Sequence, residues 1–248
     1  MKKFLLYLFI ALIFVMPAQA TKWNAADRVS FVGERIVKKN SLPYSIKFKV
    51  VNGEADNKYA ISSDTVQVSA INLVSAVNDS EVAYIITYEL GKILNDKIYQ
   101  KKNCKDKLNS AKEADIMGVD LMINAGYNPL AAIVVLSKMP ASNWENITNK
   151  PANTERTLYL YDYLTYNYPT KVKIGYSSPD YKTFLDYVEP QLKERNSDKK
   201  KRANFNKTQE KLKKNRAKQF ANFKNTQGLA KWNITYELLN SLTEPEIR

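Results

Sequence analysis

The chain has 248 residues, 38 Lys and Arg against 25 Asp and Glu for a net charge of +13, a single cysteine and no histidine. The missing imidazoles exclude histidine-assisted nucleophilic catalysis and every histidine-ligated metal centre, and the lone thiol, Cys104, excludes an intramolecular disulfide. The length suits one substantial domain, alone or with an appendage.

Taken in chain order, Lys2 and Lys3 precede an apolar run from Phe4 to Met16, and Ala18-Gln19-Ala20 supplies a small-x-small cleavage site. This is the pattern of a secretory signal over residues 1–20, and the run is shorter than the roughly 20 residues a spanning helix needs. The mature chain is expected to start at Thr21 and to be secreted or periplasmic.

Val29, Val32 and Ile36 recur at helical spacing, so residues 24–39 read as an amphipathic opening helix. The alternating run Tyr44–Val51 reads as a half-buried strand, Asn52-Gly53 as a turn, and Tyr59–Ile61 and Thr65–Ser69 as two further short strands. A helix is expected from Asp79, as its cap, to Asp96, with Val82, Ile85, Ile86, Leu90, Ile93 and Leu94 as its apolar face. A polar loop follows over 97–110, then a helix over 111–125 ending at Gly126, and a third opened by Pro129. Residues 151–168, rich in tyrosine, and 180–195 read as helices. The tyrosines at 159, 161, 163, 166 and 168 fit packing against the core better than a ligand platform.

The positive charge is local. Residues 191–225 hold thirteen Lys and Arg against Glu194, Asp198 and Glu210, a net of +10, and the remainder of the mature chain is nearly neutral. The domain plan is therefore a globular unit over 21–190, a basic helical or disordered arm over 191–228 and an amphipathic tail over 229–248. An exported basic arm points to anionic lipid or cell-wall polymer as its partner and not to nucleic acid.

The chemistry-bearing stretch is Tyr88-Glu89-Leu90-Gly91-Lys92, which keeps the frame of a zinc-peptidase His-Glu-x-x-His helix with both imidazole positions replaced. Four ordered blocks carry a wider likeness: Leu42–Val51, Asn57-Lys58-Tyr59-Ala60 through Leu73, Asp79-Ser80-Glu81-Val82-Ala83-Tyr84-Ile85-Ile86, and Glu113-Ala114-Asp115-Ile116-Met117-Gly118 through Ala125-Gly126-Tyr127-Asn128-Pro129. A fifth, Lys150-Pro151 through Glu155-Arg156, aligns with an "HPxxxER" pattern. Over residues 24–170 the chain resembles family forty-eight of the zinc metallopeptidases, which includes BepA, the CAAX prenyl protease and the mitochondrial Oma peptidase.

That resemblance implies an α+β zincin-like (gluzincin) fold with a small mixed sheet and helices, and in active relatives an extended polypeptide added along a sheet edge, here Val66, Gln67 and Val68. It places Glu89 at the general-base position, Tyr88 and Lys92 at the two zinc-histidine positions, Glu113 at the third ligand and Lys150 at a further lost histidine. A catalytic zinc needs three protein ligands, so the resemblance implies a pseudopeptidase without zinc, serving as a polypeptide-binding or scaffold module in the envelope. Lys92, with Lys150 or Arg156, is expected to replace the metal as counter-charge to Glu113 and Glu89. The alternatives are a hydrolase working through a non-histidine site, and an envelope-anchoring protein working through its arm.

Overall fold

The computed structural model describes residues 24–99, 107–139 and 153–221. The signal at 1–20, Cys104, Lys150 and the tail at 229–248 lie outside the described residues. The fold is α+β and mostly helical, with one two-stranded sheet.

Helix α1 (Ala25–Lys39) is capped by Asn24, whose Oδ1 accepts from the N–H of Ala26 and Asp27, and it buries Val29, Val32, Ile36 and Val37. Strand β1 (Lys47–Val51) is followed by a helical turn, α2 (Ala60–Ser63), where the sequence pattern reads as a strand. Asp64, in left-handed backbone at φ 52°, ends that turn and leads into β2 (Thr65–Ser69). The link of about a dozen residues carries the chain back to its start, so β1 and β2 run parallel, with Lys49 opposite Gln67. The expectation of a mixed sheet is corrected accordingly: among the described residues the sheet is a single parallel pair.

A short turn, α3 (Ala70–Leu73), precedes the central helix α4 (Asp79–Tyr99). Its cap is Asn78, one residue before the expected Asp79: Asn78 Oδ1 accepts from Ser80 N at 3.0 Å and Glu81 N at 3.1 Å. Glu81 is wholly buried, accepts from the N–H of Val77, the residue before the cap, at 3.1 Å, and is neutralised by Lys138 at 2.8 Å. Val82 to Leu94 is buried almost all round, because α4 is covered by α1, β2, α5 (Lys107–Asn124) and α6 (Leu130–Lys138). The ends of the expected 97–110 loop are thus helical, belonging to α4 and α5.

Helices α4 and α5 approach so closely that a Cβ would clash at one glycine of the crossing and be crowded at the other. A Cβ on Gly91 would lie 2.4 Å from the Ala114 carbonyl oxygen, and one on Gly118 3.1 Å from the Thr87 backbone. This contact sets the two helices that carry Tyr88, Glu89, Lys92 and Glu113 side by side.

Helices α7 (Thr154–Asn167), α8 (Pro169–Lys173) and α9 (Pro179–Ser197) complete the core. Tyr161, Tyr163 and Tyr168 are buried, the last two donating to Asp120 at 2.8 Å each. The basic segment is ordered here as a long helix, α10 (Lys199–Ala221). No helix of the described residues is long and apolar enough to cross a membrane.

Candidate functional site

On α4, Glu89 is 3 % exposed, and its Oε2 accepts from two directions: Lys92 Nζ at 2.9 Å and Asn57 Nδ2 at 2.8 Å. The i,i+3 spacing brings the Lys92 ammonium back over its own helix turn. Of the two acids expected opposite Lys92, Glu113 and Glu89, the ammonium bonds Glu89, one turn away on the same helix, and among the described residues no ion pair joins it to Glu113. Glu113, half-buried at the start of the α5 contact, accepts instead from the Tyr159 hydroxyl at 3.3 Å.

Tyr88 lies one turn before Lys92 on α4. Its ring is flanked by two cations, Arg156 at 4.9 Å and Lys92 at 5.7 Å from the centroid, and the Tyr84 ring lies 6.1 Å away. Arg156 is a counter-charge, but to neither of the acids expected: it forks onto Asp115, with Nε 2.9 Å from Oδ2 and Nη2 2.7 Å from Oδ1. Asp115 is wholly buried and also accepts from the Tyr84 hydroxyl at 2.6 Å. The Arg156 fork joins the fourth and fifth sequence blocks at one carboxylate.

Burial pushes the Tyr84 phenol well above its ordinary range, and the Asp115 charge adds to the shift. Burial also raises Tyr88, against the pull of the Arg156 guanidinium. Burial lifts the Asp115 carboxyl despite the Arg156 fork that favours its charge. Both phenols ionise more easily in the unfolded chain, near pH 10. Their stabilising effect is therefore complete below that pH and lost as pH rises above it. In an alkaline titration followed at the tyrosinate band, the parent is expected to differ from the Tyr84→Phe, Tyr88→Phe variant only once cooperative unfolding sets in above pH 10. A difference between the two already present near pH 10 with native circular dichroism would refute the dry site.

This donor set does not fit zinc. Tyr88 is a neutral phenol at ordinary pH, Lys92 is an ammonium that repels a dication, and Glu89 is already spent on Lys92 and Asn57. Among the described residues no group of three or more His, Cys, Asp or Glu side chains is placed to hold a metal.

The sheet edge is also occupied. Val66 and Val68 are wholly buried, facing the core. Gln67 donates its N–H to Asn57 Oδ1 at 2.7 Å, and its C=O accepts from Asn57 Nδ2 at 3.1 Å. The Asn57 amide thus imitates one residue of a neighbouring strand and ties the β2 edge to Glu89.

Sequence reasoning missed Asp115, Tyr84, Tyr159 and Asn57. Asp115, Tyr84 and Asn57 stood inside the quoted blocks, Asn57 as the opening residue of the second. Tyr159 gave no signal beyond helical spacing. No family model, no curated protein and no solved structure matches this chain.

Proposed function

We propose that this protein is an exported, catalytically inactive relative of the family forty-eight zinc metallopeptidases, with a zincin-like fold, that serves as a polypeptide-binding or scaffold module in the cell envelope. One observation carries the reading: the ammonium of Lys92, at a position where the family has a zinc histidine, bonds the retained Glu89 at 2.9 Å. A carboxylate engaged by Lys92 and Asn57 is not free to activate water, and no imidazole exists anywhere in the chain to rebuild a metal site.

The polypeptide partner is proposed for the β2 edge beside Glu89. An added strand there gains main-chain hydrogen bonds, and it must first displace the Asn57 amide from Gln67. That requirement makes the surface selective: an incoming segment has to offer at least the two backbone bonds it removes.

The purified mature protein is expected to hold less than about 0.1 equivalent of zinc, since a catalytic site needs three ligands. Chelators should leave its melting temperature unchanged, and casein should survive prolonged incubation. A stoichiometric metal that survives dialysis, together with chelator-sensitive proteolysis, would sink the inactive reading and favour a hydrolase working through non-histidine ligands.

A further inference from the structure

Helix α10 has two unlike sides. One side docks on the globular unit: Phe205 lies under the Arg195 guanidinium at 3.9 Å and edge-on to Tyr166 at 5.9 Å. Gln209 is 4 % exposed and Leu212 packs against the core. Glu210, the only acid of the helix, accepts from the Tyr166 hydroxyl. At about 100° per residue, Phe205, Gln209 and Leu212 fall on one arc.

The same geometry collects Lys200, Lys207, Lys211 and Lys214 within an arc of about 60°, turned roughly 160° from the docked side. All four are exposed, and none forms an ion pair among the described residues. From Lys200 to Lys214 the row runs about 21 Å along the axis at 1.5 Å per residue. No acidic, aromatic or apolar side chain interrupts it.

We infer that this row is a docking ridge for an anionic lipid surface. A row on the outward crest of a helix whose other side is held against the domain is convex and reachable from one direction only. A flat array of headgroup phosphates meets all four ammonium groups at once, whereas a flexible polymer chain is best held in a groove with two walls. Nucleic acid would be expected to use aromatic side chains for stacking, and Phe205, the aromatic residue within the span of the row, is turned inward. Lysine suits the task because its charge is a compact point on a flexible stem. The ridge has no apolar residues, so the contact is peripheral, electrostatic and reversible by salt.

The test is sedimentation of the chain starting at Thr21 with vesicles of phosphatidylcholine, with and without about a third phosphatidylglycerol. Each lysine near an anionic surface is expected to contribute about fivefold to binding. The variant Lys200→Gln, Lys207→Gln, Lys211→Gln, Lys214→Gln should therefore bind the anionic vesicles more than a hundredfold more weakly, with unchanged circular dichroism and melting temperature. A control variant of equal charge, Lys38→Gln, Lys39→Gln, Lys47→Gln, Lys49→Gln, removes exposed lysines from α1 and β1 and should bind nearly as the parent does. Binding that drops equally in both variants means net charge alone and overturns the ridge. Equal binding to neutral vesicles, or no vesicle binding alongside tight binding of polyphosphate, overturns the lipid assignment.

Discussion

Replacing Arg156 by alanine is expected to destabilise the folded chain by about 3–5 kcal/mol, the cost of breaking a buried ion pair from one side. The carboxylate left behind, Asp115, is wholly buried and would keep only the Tyr84 hydroxyl as a partner. The Tyr88 ring would also lose the guanidinium that lies over it. Arg156→Lys should recover only part of the loss, since an ammonium cannot reproduce the two parallel bonds to Oδ1 and Oδ2. The double change Arg156→Met with Asp115→Asn should recover most of it, because the orphaned charge is removed with its partner. Urea denaturation of the parent and the three variants measures these differences. A loss below about 1 kcal/mol for Arg156→Ala would mean that water reaches Asp115.

The Asp115–Arg156 pair also marks where sequence reading stopped. Its members lie 41 residues apart, on α5 and α7, and nothing local distinguishes Asp115 from any acid on an amphipathic helix. What was legible is what local periodicity controls. The apolar positions of α1 and α4 and the stop at Gly126 follow from side-chain spacing and turn chemistry. The strand read at Tyr59–Ile61 failed because three apolar or aromatic residues suit a helical turn as well as a strand, and the left-handed Asp64 settles the matter three residues later. The parallel register of β1 with β2 depends on the path of the link between them. The counter-charge argument set Lys92 against both Glu113 and Glu89, because spacing along one helix cannot tell which way a flexible lysine stem folds; the ammonium folds back onto Glu89. Of the glycine pair at the α4–α5 crossing, Gly91 was quoted in the Tyr88–Lys92 stretch and Gly118 in the fourth block, but their steric role needed the two backbones in place.

Asn57→Ala is expected to cost about 3 kcal/mol, although Asn57 is only partly buried and carries no charge. Its amide satisfies three groups at once: the N–H and C=O of Gln67 and the Oε2 of Glu89. Each polar group left unsatisfied away from water costs about 1–3 kcal/mol, and Glu89 as a charge lies at the upper end. Water entering from the partly open edge offsets some of that sum, which holds the total near the middle. Lys92→Ala should cost less, because its side chain is 40 % exposed and solvent can replace part of the ammonium. The isosteric Asn57→Asp separates hydrogen bonding from packing. It fills the same space and can still accept from Gln67 N–H, yet it loses both donated bonds and sets a second carboxylate against Glu89. Destabilisation at least as large as that of alanine is therefore expected, with Asn57→Asp partly rescued by Glu89→Gln. If Asn57→Asp were neutral by thermal or urea denaturation, the amide would be filling space and not closing the β2 edge. If the proposed polypeptide site lies at that edge, Asn57→Ala should also bind an extended peptide more tightly than the parent, since the internal competitor for Gln67 is gone.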